Sequence, residues 1–116
     1  MSDPRPRVEG TDPPQVIGVA CTDCGHQMPT PRPRCADCGG RVAEARFGPD
    51  GVVWSSTVVR IAVGDRTPPY ALAYVDLDEG PRVLAHVRGS DAAPPVGSRV
   101  HLVAPVEGDV VVEVES

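Results

Sequence analysis

The residues best suited to chemistry in this chain are four cysteines, arranged as two C-x-x-C pairs, Cys21/Cys24 and Cys35/Cys38, with ten residues between the pairs. Glycine follows each pair directly, Gly25 after the first and Gly39-Gly40 after the second. A tight turn at C-x-x-C brings both sulfurs to one side, and glycine tolerates the backbone twist behind them. Two such knuckles facing each other supply four thiolates at about 2.3 Å from a common centre, the tetrahedral set that zinc prefers. A four-sulfur shell leaves no open position, so the expectation is one structural zinc ion held by Cys21, Cys24, Cys35 and Cys38. A rubredoxin-like iron centre and a pair of redox disulfides are the alternatives that the same spacing permits. His26 stands beside the first knuckle and could compete as a ligand, but four cysteines already complete the shell.

No second reactive constellation is apparent. His86 and His101 fall on polar faces of predicted strands, and neither has a serine or cysteine nucleophile in a recognisable motif. No glycine-rich phosphate loop is present. The acidic run Asp76-Leu77-Asp78-Glu79 sits at a hairpin and reads as a solvated turn. Trp54, Tyr70 and Tyr74 could form a stacking platform, although core or interface packing is the favoured reading. These residues predict a binding or structural role and no enzymatic activity.

The elements that must position the cysteines are short. Apolar residues make up 41% of the 116, carried mostly by Val and Ala, and 14 prolines with 12 glycines interrupt the chain too often for long helices. Residues 1–15 read as a flexible or extended arm rich in proline and charge. Residues 16–48 read as the zinc ribbon: an apolar entry at Val16–Ala20, an extended proline-rich connection over Met28–Arg34, and an exit at Val42–Phe47. Residues 49–116 hold five strand candidates, Val52–Val63, Tyr70–Leu77, Arg82–Arg88, Ser98–Ala104 and Asp109–Glu115, with turn-forming residues in every gap. In the third, Val83, Ala85 and Val87 alternate with Arg82, Leu84, His86 and Arg88; in the fifth, Val110, Val112 and Val114 alternate with Asp109, Val111, Glu113 and Glu115. The first is long enough to bend and serve both sides of a small closed barrel. The expected fold is all-β: a rubredoxin-like zinc ribbon followed by a five-stranded antiparallel OB-fold barrel, with an SH3-like barrel as the structural alternative.

Charge is uneven. Residues 1–48 carry six acidic side chains and six Arg, whereas residues 49–116 carry ten acidic side chains and five Arg, so the whole net charge of −5 falls on the barrel. An acidic barrel is a poor partner for phosphate backbones. The first residues, MSDPRPRVEGTDPP, contain no apolar run, so no signal peptide is expected, and no stretch has the apolar length to span a bilayer. A cytoplasmic protein with reduced thiols is the expectation, which favours metal over disulfides.

The ribbon runs directly into Gly51-Val52-Val53-Trp54-Ser55-Ser56-Thr57-Val58-Val59-Arg60, then Pro68-Pro69-Tyr70-Ala71-Leu72-Ala73-Tyr74-Val75-Asp76-Leu77-Asp78-Glu79-Gly80 and Arg82-Val83-Leu84-Ala85-His86-Val87. Over residues 16–116 this resembles the family of rubredoxin-like zinc-ribbon plus OB-fold proteins long labelled a domain of unknown function. Members of that family associate with thiolase-fold enzymes, including sterol-carrier-type thiolases, hydroxymethylglutaryl-CoA synthase assemblies, polyketide-type acyltransferases and side-chain retro-aldolases. The resemblance implies a non-catalytic accessory subunit that braces a thiolase-fold partner, which itself carries the catalytic residues, in a hetero-oligomer, and that helps form its acyl-CoA site. Family members often begin with a helical arm, whereas Pro4, Pro6, Pro13 and Pro14 argue against a helix over residues 1–15. Arg32, Arg34, Arg41 and Arg46 lie in or just after the ribbon and are candidate contacts for CoA phosphates, since the guanidinium fork suits phosphate. The competing role for these arginines is to offset a zinc–tetrathiolate charge of about −2. The competing function is a single-stranded nucleic-acid-binding ribbon/OB module, which the acidic barrel with its few aromatic residues disfavours. A standalone enzyme or redox protein is the third reading.

Overall fold

The structure, a computed structural model, describes residues 6–10, 13–61, 67–89, 92–106 and 108–115, and every regular element among them is a strand. Two sheets form. The first contains β1 (Arg7–Glu9), β2 (Gln15–Cys21), β3 (Gln27–Met28) and β4 (Val42–Phe47); β2 pairs with β1 and β3 along one edge and with β4 along the other, all antiparallel. The second is a closed barrel of β5 (Asp50–Val59), β6 (Tyr70–Leu77), β7 (Arg82–Val87), β8 (Arg99–Leu102) and β9 (Val111–Val114), in the spatial order β5-β6-β7-β9-β8. This is the five-stranded OB-type barrel expected from the sequence.

Four details correct the sequence reading. The barrel is not wholly antiparallel, because β7 and β9 run parallel, with His86 opposite Val111 and Val87 opposite Val112. A closed ring of five strands cannot alternate direction throughout, so one neighbouring pair must run the same way. The strands are also shorter at their ends: the fourth and fifth candidates contract to β8 and β9, and an isolated bridge between Val106 and Asp109 precedes β9. Within β9, Val114 is 41% exposed although its alternation pointed it inward, and Val111 is 3% exposed although it pointed outward. Val114 closes the strand at the barrel's end, where facing inward no longer means being covered. Ala62 and Val63 of the first candidate lie outside the described residues, as do residues 1–5, 11 and 12 of the predicted arm. Arg7–Glu9, read as part of that arm, forms a paired strand on β2.

The residues of β2 explain how the sheets meet. Val16 is fully buried in the barrel's own core cluster, together with Phe47 of β4 and Val8 of β1. Val19 and Cys21 instead join Met28 and Cys35 in a second, small cluster around the knuckles, with Val42 packed against it. Period-two alternation along one strand thus sends Val16 to the barrel and Val19 and Cys21 to the ribbon. The main barrel core is aliphatic, with Val53, Val75, Val100, Leu102 and Val112 almost wholly buried. A further tie is the Gln27 side-chain amide, which donates to the Glu79 carbonyl of the β6–β7 turn at 2.7 Å.

Candidate metal centre and its surroundings

The two knuckles are built alike. The Gly25 amide donates to the Cys21 carbonyl at 3.1 Å, and the Gly39 amide donates to the Cys35 carbonyl at 3.0 Å. Gly25 and Gly39 adopt φ of 79° and 74°, the left-handed region that side chains rarely enter. A Cβ on either would meet nothing within 4 Å, so conformation and not space requires glycine there. In each turn two amides point at the first sulfur: Asp23 and Cys24 donate to Cys21 Sγ at 3.3 Å, and Asp37 and Cys38 donate to Cys35 Sγ at 3.3 and 3.5 Å. Such donors stabilise a thiolate. The Cys35 amide closes the second knuckle on the Gly40 carbonyl, and the Thr22 amide of the first knuckle donates to the Arg41 carbonyl that follows the second.

All four Sγ atoms lie within 4.8 Å of one another. Cys21 and Cys38 are separated by 3.5 Å and Cys24 and Cys35 by 3.7 Å. A tetrahedron with metal–sulfur bonds of about 2.3 Å has edges of about 3.8 Å, so the donor set fits a four-coordinate thiophilic ion. Cys21 and Cys35 are buried, whereas Cys24 and Cys38 face solvent. The proton affinities carry the same message. The Cys24 amide, helped by that of Asp23, brings Cys21 down to about 7 against the cost of burial. At Cys38 the Gly40 amide pulls downward, but the neighbouring sulfurs of Cys21 and Cys24 prevail and push the thiol up to about 12. Cys24 is also raised, since burial and the Cys21 sulfur outweigh the His26 amide. Four sulfurs this close cannot all ionise alone, and a cation among them removes that conflict. His26 is exposed and contributes backbone only, its carbonyl accepting from the Cys21 amide at 2.8 Å.

The four arginines singled out in the sequence do not form one group. Arg32 and Arg34 are exposed in the connection between the knuckles, where an Arg34 guanidinium nitrogen lies 3.5 Å from the Gly39 carbonyl. Arg41 follows the second knuckle, its amide 3.4 Å from an Asp23 carboxylate oxygen. Arg46 lies farther along β4, opposite Ile17 and 3.7 Å from Glu44. On the barrel, His86 Nε2 is 3.5 Å from Asp109 and its ring lies 5.8 Å from that of Tyr70, while His101 approaches Glu113 and Glu115 at 3.8 Å. Trp54 departs from the core packing considered for it: it is 51% exposed, with Tyr74 at 46% beside it. The signal missed in the sequence is a bulge. Val53 pairs with Val75 and Ser55 with Tyr74, so Trp54 is the extra residue of β5 and is turned outward.

Comparison with known proteins agrees with this architecture. The family described as the ChsH2 C-terminal OB-fold domain matches residues 44–104, more than half of the chain. A "DUF35 domain-containing scaffold protein" of Pyrococcus furiosus is 40% identical over 76 residues, 63% of this chain and 55% of that protein. A protein of the same description from Methanocaldococcus jannaschii is 30% identical over 76 residues, 62% of this chain and 54% of that protein. The chain thus spans about half the length of the curated relatives it matches. Among solved structures, a chain of the "Ltp2-ChsH2(DUF35) aldolase" superposes with a TM-score of 0.70 at 25% identity, covering 86% of this chain and 84% of that one. A DUF35-family protein of unknown function from Sulfolobus solfataricus superposes with a TM-score of 0.65 at 19% identity, covering 87% and 76%, and shares the fold. The chain belongs to the ChsH2 C-terminal OB-fold domain family.

Proposed function

Taking that membership as premise, we propose that this chain is a non-catalytic accessory subunit that binds a thiolase-fold enzyme and helps form its acyl-CoA site. The observation that carries the reading is the likeness, over most of both chains, to a component of the Ltp2-ChsH2(DUF35) aldolase. The description of two sequence relatives as scaffold proteins supports it. Cys21, Cys24, Cys35 and Cys38 hold one zinc ion, whose contribution is structural, since four protein sulfurs leave no site for water or substrate. A cytoplasmic setting keeps those sulfurs reduced. Arg32 and Arg34, presented on a proline-stiffened connection, reach the phosphates of a CoA held mainly by the partner, while Arg41, just before β4, and Arg46, on it, offset charge.

The test is reconstitution. The protein is co-expressed with the thiolase-fold enzymes of its native host, and the purified complex and each separate component are assayed with acyl-CoA esters. A stoichiometric complex whose turnover with acyl-CoA exceeds that of the enzyme alone is the expected result. Turnover by this chain alone, lost on replacing His86 or His101, would overturn the reading.

A further inference from the structure

A patch on the outside of the barrel brings three large exposed side chains together. Trp54 on β5, Tyr74 on β6 and Leu84 on β7 are 51%, 46% and 47% exposed. They are neighbours: the bulge sets Trp54 and Ser55 against Tyr74, and Tyr74 stands opposite Leu84 in the β6–β7 register. The Trp54 and Tyr74 rings meet edge to face with centroids 6.3 Å apart. The Arg82 guanidinium lies 3.7 Å from the Trp54 ring centroid, and it donates to both carboxylate oxygens of Asp76 at 2.6 and 3.2 Å. Scattered apolar residues on a surface are ordinary, but a contiguous group of Trp, Tyr, Leu and Arg has the composition of an interface centre. Its side chains are already ordered by one another, which lowers the entropic cost of docking.

The charges around the patch select its occupant. Nucleic acid needs free cations to neutralise phosphates. Here Arg82 is committed to Asp76, Arg88 donates to Glu113 at 2.7 Å, and Arg99 donates to Asp78 at 2.6 and 3.0 Å. A second copy is disfavoured too, because each barrel segment brings ten acidic side chains against five Arg and like charges repel. What remains complementary is a different protein with an apolar recess and basic side chains around it. We infer that the Trp54–Tyr74–Leu84 face of β5, β6 and β7 docks into such a recess on the partner enzyme of this chain. The inference rests on the accessory-subunit reading and adds to it the surface that makes the contact.

Trp54 is the single tryptophan of the chain, so it reports on this face alone. The full-length protein is prepared with 5-fluorotryptophan and followed by its one fluorine resonance while the reconstituted thiolase-fold enzyme is added and complex formation is measured by light scattering. The resonance should shift and lose its solvent-isotope effect as the complex forms. Trp54→Ala and Leu84→Glu should each weaken association by about 30-fold or more, the size of a hot-spot loss, with unchanged circular dichroism and metal content. Association should also weaken as salt is raised. A complex that forms while the resonance stays still, with both variants binding like wild type, overturns this inference and leaves the accessory reading standing. Failure of every host thiolase-fold enzyme to form a complex overturns both. A resonance that moves on adding oligo(dT), or on raising the concentration of this chain alone, overturns the inference in favour of nucleic acid or of self-association.

Discussion

The ribbon and the barrel solve the same problem of stability in different ways. The barrel buries an aliphatic interior drawn from all five of its strands and closes on itself, so no edge is left unpaired. The knuckle end of the ribbon buries only Val19, Cys21, Met28 and Cys35, with Val42 at their side. Two of those five are themselves candidate metal ligands, so a metal held there and the small core would be one construction. Below about 40 residues a hydrophobic interior rarely suffices, and a metal commonly takes its place. The boundary between the two regimes runs through β2, whose Val16 belongs to the barrel cluster while Val19 belongs to the ribbon cluster.

The largest effect that could break this contrast is metal removal. Chelation, or Cys35→Ser, should release the ion and on the order of 10 kcal/mol of apparent binding energy with it. Amide exchange followed by NMR should show residues 19–42 losing protection while Val16, Phe47 and the barrel keep theirs. Uniform loss across both regions would mean that they unfold as one unit and that the division at β2 is wrong.

Next in size is the junction. Phe47 is 5% exposed, pairs with Val16 and lies in the barrel cluster. Phe47→Ala should destabilise the protein by about 3–5 kcal/mol, read from urea unfolding. In the metal-loaded protein it should also separate the unfolding of ribbon and barrel into two transitions.

The arginines of the ribbon come third. In the reconstituted complex, Arg32→Ala or Arg34→Ala should raise the KM for an acyl-CoA by the equivalent of about 1.5–3 kcal/mol, the value of a charge-assisted hydrogen bond. A pantetheine ester lacking the nucleotide should be unaffected. Equal effects on both substrates, or none on either, return these side chains to charge balance around the metal.

The smallest effect concerns pH and the barrel alone. Arg99 hydrogen-bonds Asp78 and holds its carboxyl below the ordinary carboxylate value. A depressed carboxyl stabilises the folded state above its unfolded value of about 4 and loses that contribution as the pH falls through the lower folded value. Asp78→Asn should therefore flatten the acid limb of the stability curve slightly and leave the stability of the ribbon unchanged. Both groups are half exposed, so a steep change would contradict the solvent screening expected there.

Much of the fold was legible because its signals are local. Turn residues between alternating Val-rich runs mark all five barrel strands within a few residues at each end, and two C-x-x-C pairs followed by glycine mark the knuckles. The pairing of β1 with β2 was not legible, since Arg7-Val8-Glu9 has too few residues to show a period. Nor was the outward placement of Trp54, because a bulge changes which face a side chain takes without altering residue types.

The sequence by itself determined which atoms are candidates for a metal and which runs extend. Cysteine spacing, the glycines behind the knuckles and period-two alternation act over a few residues and need no distant partner. Only the tertiary structure decided that the four sulfurs converge, that Arg46 stands apart from Arg32 and Arg34, and that Trp54, Tyr74 and Leu84 form one exposed patch beside a neutralised Arg82. The first two depend on how β3 and β4 pair with β2 in the ribbon sheet, and the third on register in the barrel, which its closure and the bulge at Trp54 set.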